Sequence, residues 1–245
     1  MAIEPRAPRL AVLIDADNAS ARIAPALFEE IAKIGDASVR RIYGDFSGTR
    51  LKGWAEILPT YAILPHQNFA NTVGKNASDI ALVIDAMDLL HTGRFDGFCI
   101  ISSDSDFTRL ASRLRENATV YGFGEQKTPE SFRQACHRFI YTENLVPEAP
   151  AAAEPEKEDE RPASVARPPA AAAPLIKRAI AQLEDDGDGW VNLGRIGQRL
   201  SALAPDFDPR TFGQARLVTL IEKAGAFEVK RDGGGAVRIK PAKKA

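Results

Sequence analysis

Cysteine is nearly absent from these 245 residues. The two present, Cys99 and Cys136, lie far apart within apolar patterns. Without Cys or His at ligand spacing they exclude a zinc ribbon or a disulfide framework, and they read as reduced core residues. Long hydrophobic runs are missing too: none reaches the roughly 20 residues of a bilayer-spanning helix, so no membrane role is expected. The opening MAIEPRAPR lacks the basic-then-apolar layout of a secretion signal, which makes a cytoplasmic location the expectation. Net charge is scarce as well, at −1 from 32 Lys/Arg and 33 Asp/Glu. The balance is uneven, however. Residues 1–145 hold 16 cations against 18 anions, 146–173 hold 3 against 6, and 174–245 hold 13 against 9. An excess of four cations in the last part points to an anionic partner there, with a solvated cationic surface as the plain alternative.

What is present is a soluble globular composition, 44% hydrophobic and 27% charged, long enough for one or two domains. Over residues 9–145 strand and helix patterns alternate. Leu10–Ile14, Val39–Tyr43, Tyr61–Leu64, Phe98–Ile101, Thr119–Phe123 and Phe139–Tyr141 read as strands. Between them, Ala21–Ile34, Thr49–Leu58, Ala77–Leu90, Asp106–Glu116 and Pro129–Cys136 read as helices, and Pro65–Lys75 as a polar loop. Such alternation predicts an α/β fold, a mostly parallel sheet flanked by helices. Residues 146–173 are Ala, Pro and Glu with almost no large apolar side chain, a composition that predicts a disordered linker. Residues 174–245 recover helical periodicity at Leu175, Ala179, Ile180 and Leu183, then over Leu193–Leu203, then at Leu217, Leu220, Ile221 and Ala224. A hairpin across Asp232–Gly235 follows. Three helices and a terminal hairpin predict a small winged-helix-like α+β domain.

The first strand, RLAVLID, runs straight into Asp15, Asp17 and Asn18, and the strand FCII runs into Ser102, Ser103, Asp104 and Asp106. In open α/β sheets ligands bind beyond the carboxyl ends of the strands at the point where strand order reverses. Two acidic strand ends would converge there if the strands are neighbours. Converging carboxylates suit Mg²⁺ or Mn²⁺, which take oxygen ligands and retain waters. Asp79, in the first turn of the helix after Lys75, is a third candidate, and helix-dipole complementarity is its structural alternative. Asp85 lies six residues on, about 120° round the helix, and is expected to face elsewhere; Asp88 is expected in solvent. Asp106 and Asp17 fit helix capping as well as metal binding. Asn18 fits either an Asx turn or the orienting of a water or phosphate. Lys75 fits a phosphate contact or a solvated loop.

Together DADN, the Lys75–Asp79 spacing before an apolar helix, and SSDSDF resemble the NYN domain, the LabA-like branch of the PIN-like nucleases, over about residues 9–145. The resemblance implies a parallel PIN-like sheet, a magnesium- or manganese-dependent acidic site, and RNA as substrate. It carries the acidic positions onto Asp15, Asp79 and Asp104, with Asp106 secondary and Asn18 at the amide position. Asp-x-Asp after a first strand also looks like the nucleophile motif of haloacid-dehalogenase-type phosphatases, with Asp15 phosphorylated and Asp17 as acid/base. That family needs a Ser or Thr strand end before its Lys, and here Lys75 precedes Ser102 and Ser103, so the order fails.

LIKRAIAQLEDDGDGWVNLGRIGQRL and DFDPRTFGQARLVTLIEKAGAFEVK resemble the LOTUS (OST-HTH) domain over about residues 174–240. This implies RNA binding or, in some members, a protein partner. The cations that would neutralise phosphates are Lys177, Arg178, Arg195, Arg199, Arg210 and Arg216, joined by Lys230, Arg231 and Arg238. Trp190, Phe207 and Phe212 read as core packing. The expectation is a ribonuclease that hydrolyses RNA phosphodiesters, with a tethered RNA-binding module. The alternative is a non-catalytic RNA-binding or regulatory adaptor that retains the acidic metal pocket.

Overall fold

A computed structural model of the chain describes residues 6–69, 77–145, 166–183, 189–231 and 236–242. The chain divides into two compact units, Met1–Pro147 and Glu148–Ala245.

The first unit begins with β1 (Arg9–Asp15), α1 (Ala24–Ala32) and β2 (Asp36–Gly44), then α2 (Lys52–Ile57), β3 (Leu64–Gln67) and α3 (Ala77–His91). It continues through β4 (Gly97–Ile101), α4 (Thr108–Arg115), β5 (Thr119–Gly124), α5 (Glu130–Ala135) and β6 (Arg138–Tyr141). The six strands form one sheet in the order β3-β2-β1-β4-β5-β6, and every neighbouring pair is parallel. Strand order reverses between β1 and β4, which are hydrogen-bonded neighbours, so this is the switch point of a doubly wound sheet.

The central strands are unbroken apolar runs because both faces are covered. Leu10 to Ile14 of β1 are fully buried, as are Phe98 to Ile100 of β4. Side chains alternate between faces. Ala11, Leu13 and Tyr43 pack with Leu82 and Ala86 of α3 and Leu110 and Leu114 of α4. Leu10, Val12 and Ile14 pack with Leu27 and Ile31 of α1 and Trp54 of α2. By this alternation Asp15 belongs to the face covered by α3. Both cysteines are free and buried. Burial pushes their thiols up, that of Cys136 to about 12, so neither acts as a nucleophile at neutral pH.

The third strand lies later than its pattern predicts. Beyond α2 the chain turns through Ala62 at a positive φ of 49°, with Ala62 N–H donating to the Pro59 carbonyl and Ile63 N–H to that of Leu58. This turn consumes residues 59–63, so the strand starts at Leu64 and extends into what the sequence predicts as loop. Pro65 is tolerated because β3 is an edge strand.

The second unit holds α6 (Ala173–Ala181), β7 (Val191–Asn192), α7 (Leu193–Leu203), α8 (Leu217–Lys223), β8 (Phe227–Arg231) and β9 (Val237–Pro241). Its three strands form an antiparallel sheet in the order β7-β9-β8. Ile176, Ile180, Ile196, Leu200, Leu220, Ile221 and Ile239 make its core, and Asn192 caps α7 by accepting from Gly194 N–H at 2.8 Å. Residues 169–173, expected within the linker, are helical here, and Ala172 is buried in this core. Small size lets Ala pack where composition alone reads as disorder. The linker expectation for 146–165 falls outside the described residues. Trp190 is half-buried at the rim beneath the Lys240 ammonium, 5.9 Å from its ring, whereas Phe207 and Phe212 join the core as expected. No described helix is long and apolar enough to cross a membrane.

Gly124 ends β5 in a space a methyl group would overfill. An added Cβ would stand 2.5 Å from the Ser102 carbonyl oxygen and 2.7 Å from Thr128 Oγ1. Gly124→Ala is therefore expected to lower stability by about 1–3 kcal/mol, the range for overpacking, read as a lower urea midpoint at unchanged slope.

Candidate active site

Asp15 is the last residue of β1, paired with Tyr43 on β2. On its other side the register Ile14–Ile101 brings Ser102, the first residue beyond β4, alongside it. The carboxylate is 1% exposed and held by three donors. Ser102 Oγ donates to its Oδ2 at 2.7 Å, Asn18 Nδ2 to the same oxygen at 2.8 Å, and Asp17 N–H to Oδ1 at 3.1 Å. Burial pushes the Asp15 carboxyl up from its ordinary range, and the bonds from Ser102, Asn18 and Asp17 pull against that rise. A carboxylate offers about four lone-pair positions. Three are filled, and one on Oδ1 has no partner among the described residues.

Ser102 Oγ also accepts from Asp104 N–H at 3.0 Å, so one buried hydroxyl links both acidic strand ends. Asp104 in turn caps the short helix Ser105–Phe107, accepting from Asp106 N–H at 2.9 Å. The cap of this helix is Asp104, with Asp106 inside its first turn. The cap ahead of α1 is likewise not Asp17. Ser20 accepts from Arg22 N–H, while Asp17 pairs with Arg50. Asn18, expected to orient a water or a phosphate or to close a turn, orients Asp15 itself.

Asp79 lies in the first turn of α3, half-buried. Its carboxyl is pushed up to about 6, first by burial and then by the negative charges of Asp15, Asp104, Asp17 and Asp106. The structure thus brings the three leading candidates and both secondary acids into one electrostatic neighbourhood. Within it, Asp17 pairs with the Arg50 guanidinium. Asp85 faces away, as its helical angle predicts. Its Oδ2 accepts from Arg41 Nη1 at 2.8 Å and Tyr43 Oη at 2.7 Å, with His66 Nδ1 at 3.5 Å. Burial, then that hydrogen bond and the Asp85 charge, push the Tyr43 phenol up, so it stays a neutral donor. Asp88 is exposed. Lys75 lies outside the described residues.

Among the described residues, no three His, Cys, Asp or Glu side chains are grouped closely enough to hold a metal ion together. The acidic set is a looser neighbourhood of charge around Asp79. Such a set fits a hard cation that keeps waters and meets substrate phosphate, the usual habit of Mg²⁺, and does not fit a fully caged ion.

In the second unit Arg210 is committed to Asp208, through Nη2 at 2.7 Å and Nε at 3.0 and 3.1 Å. Arg199 donates to Gln182 at 2.9 Å and Arg231 pairs with Glu222 at 2.6 Å. Lys177, Arg178 and Arg216 are exposed. Arg195, Lys230 and Arg238 each have a partner of their own.

Sequence reasoning gave Ser102 no role in the acidic site and missed Arg50. Ser102 carried a signal: it is the first polar residue after an apolar strand and stands two before Asp104. Arg50 carried none, because its partner is 33 residues away in a turn.

A doubly wound parallel sheet with an acidic switch point, followed by a small helical unit with an antiparallel sheet, defines a PIN-like α/β domain joined to a second module. A family model of the NYN domain matches residues 9–143, and one of the OST-HTH/LOTUS domain matches residues 172–239. The chain belongs to the NYN-domain family, within the PIN-like nuclease superfamily. Among solved structures, a protein of unknown function from Vibrio parahaemolyticus is 16% identical over 57% of this chain and 95% of its own, with a TM-score of 0.47. An uncharacterized protein from Nitrosomonas europaea is 26% identical over 41% of this chain and 90% of its own, with a TM-score of 0.27. No curated protein matches the chain.

Ser102→Ala removes a donor from a buried carboxylate and the support of the Asp104 amide. It is expected to cost about 1–3 kcal/mol, measured by urea denaturation, with Ser102→Thr restoring most of it. Asp79 gives a pH dependence of definite sign. Its folded-state value of about 6 exceeds the unfolded value of about 4, so the folded form binds the proton more tightly. Stability therefore falls as pH rises from about 4 to about 6 and levels off above. Asp79→Asn should reduce that decline, with the raised Asp15 carboxyl accounting for the remainder, and should melt higher than the parent at pH 7–8 in EDTA, checked by thermal melts across pH 4–8.

Proposed function

We propose that this chain is a metal-dependent ribonuclease that hydrolyses RNA phosphodiester bonds, with its LOTUS domain as the RNA-binding module. The observation that supports this reading best is the tie through Ser102. It joins Asp15 to Asp104 at the sheet's switch point, with Asp79 in their field. A polyanion brought to five carboxylates is repelled unless a cation intervenes, and a PIN-like nuclease fold generally uses a divalent one.

Asp15, Asp79 and Asp104 would hold Mg²⁺ or Mn²⁺. When bound, the ion supplies charge neutralisation at the scissile phosphate and a water of lowered pKa. The chain's own residues prepare that chemistry. Ser102 and Asn18 fix the Asp15 carboxylate in one orientation, and Oδ1 keeps a position with no partner among the described residues. The cap bond of Asp104 uses Oδ1, and its Oδ2 has no hydrogen-bond partner among the described residues. Asp79, with its carboxyl pushed up to about 6, is half ionised near pH 6, so the acidic set gains its full charge only above neutrality. Asp106, two residues beyond Asp104 in the first turn of the short helix, would position the attacking water. The Asp17–Arg50 pair holds one acid of the cluster out of the ligand set.

Exposed Lys177, Arg178 and Arg216 are the second unit's candidates for phosphate contacts. Arg210, locked on Asp208, serves the fold instead. Tethering such a module to the catalytic domain raises the local concentration of RNA around it.

The test is cleavage of end-labelled single-stranded and hairpin RNAs by purified full-length protein with Mn²⁺, Mg²⁺ or EDTA. Cleavage is expected with either metal and not with EDTA. Asp15→Asn should lower it by at least about a hundredfold, the scale of losing one charge-stabilising group, while RNA affinity is retained. RNA binding without cleavage by the parent protein would replace this reading with the non-catalytic adaptor.

A further inference from the structure

The end of the sheet opposite the acidic pocket carries a cleft of the reverse charge. β1 begins at Arg9 and β4 at Gly97, and between these amino ends lies an open cleft of about 650 Å³ lined by Arg6, Pro8, Arg9, Gly93, Arg94 and Asp96. Its walls are fixed by main-chain bonds. Asp96 N–H donates to the Arg9 carbonyl at 2.9 Å and Thr119 N–H to that of Asp96 at 3.0 Å. After α3 the chain reverses at Gly93, with φ 63°, a conformation glycine adopts freely. Thr92 Oγ1 then accepts from Arg94 N–H at 3.3 Å, bringing Arg94 to the cleft.

Three guanidiniums meet here one carboxylate, and that carboxylate is already engaged. Asp96 Oδ2 accepts from the Arg9 main-chain N–H at 2.7 Å. The Arg9 guanidinium lies 5.6 Å from the Phe95 ring centroid and its Nε donates to Ser38 Oγ at 3.4 Å, so it is held in place with its Nη groups unbonded among the described residues. Arg6 and Arg94 are exposed, and among the described residues neither has an ion-pair or hydrogen-bond partner for its guanidinium. Three arginines line one cleft, one of them pre-oriented and none in an ion pair among the described residues, and guanidiniums match the bidentate oxygens of a phosphate group. β1 spans about 20 Å from Arg9 to Asp15, at roughly 3.3 Å per residue, so the cleft is separate from the acidic pocket.

We propose that this cleft is a phosphate-binding site, which takes either a phosphate of an RNA strand or that of a small phosphorylated molecule. The proposal concerns binding and does not rest on the ribonuclease reading.

The experiment uses the full chain in EDTA and compares the parent with the Arg6→Ala/Arg94→Ala double variant, whose truncated side chains support no part of the fold. A charge-matched control, Arg113→Ala/Lys127→Ala, alters surface pairs elsewhere. Two probes are titrated, a 20-nucleotide single-stranded RNA across a salt series and inorganic pyrophosphate. If RNA is the source, the double variant weakens RNA binding roughly tenfold at low salt. Its slope of log K against log salt then drops by about 0.7 for each phosphate no longer neutralised, while the control stays at the parent value. If the source is a small molecule, pyrophosphate binding disappears in the double variant and the RNA isotherm is unchanged. Arg9→Lys, which keeps the charge but not the planar fork, should weaken whichever probe binds. Identical behaviour of parent and double variant with both probes overturns the proposal. So does an equal loss in the control, which would reduce the effect to net charge.

Discussion

A single buried hydroxyl organises the acidic end of the first unit. Ser102 Oγ donates to Asp15 and accepts from the Asp104 amide, so it uses both of its roles at once across the junction of β1 and β4. Parallel strands place main-chain groups side by side, but their side chains beyond the last ladder bond have no enforced orientation. The serine supplies that orientation. Because Asp15 is buried, the cost of leaving its charge without donors would be large; three hydrogen bonds offset that cost without supplying a compensating positive charge. The result is a carboxylate that is fixed in place and whose proton affinity burial raises.

Much of this was legible in the amino-acid order. Unbroken apolar runs ending in acids, at Leu10–Ile14 and Phe98–Ile101, specify doubly covered strands and where their polar ends must lie. The spacing of apolar positions after Ala77 specifies the helix that carries Asp79 and sends Asp85 to another face. Less legible were features set by single hydrogen bonds. Capping by Ser20 and Asp104, with Asp17 and Asp106 freed from that task, depends on backbone angles at residues of near-equal capping propensity. The late start of β3 depends on a left-handed alanine, which no propensity favours. In the second unit, composition identifies a cationic excess but not that Arg210 is bound to Asp208, a partner two residues away that any surface reading overlooks.

The two units divide the electrostatic labour. The first concentrates acids at the carboxyl end of its sheet and leaves arginines at the amino end, so its near-neutral charge conceals a strong separation along the strands. The second presents exposed cations on α6 and ahead of α8. Summed to a single net value, the chain resembles an ordinary neutral protein. Resolved by position, it is a set of opposed fields, each at a defined end or face.

The brace at Asp85 has a mechanical consequence for the acid two turns before it. Arg41 and Tyr43, both on β2, grip the same oxygen of Asp85, about 9 Å along the helix from Asp79 at 1.5 Å per residue. Mutual repulsion among the acids would be relieved most easily by α3 rolling about its axis or lifting its first turn. A roll of one residue, about 100°, would tear both donors away from Asp85. The helix is thus keyed to the sheet like a shaft in a slot, and Asp79 is kept facing charges it would otherwise turn from. Its raised proton affinity comes from burial first and from those charges second, an environment that this remote bolt keeps in place.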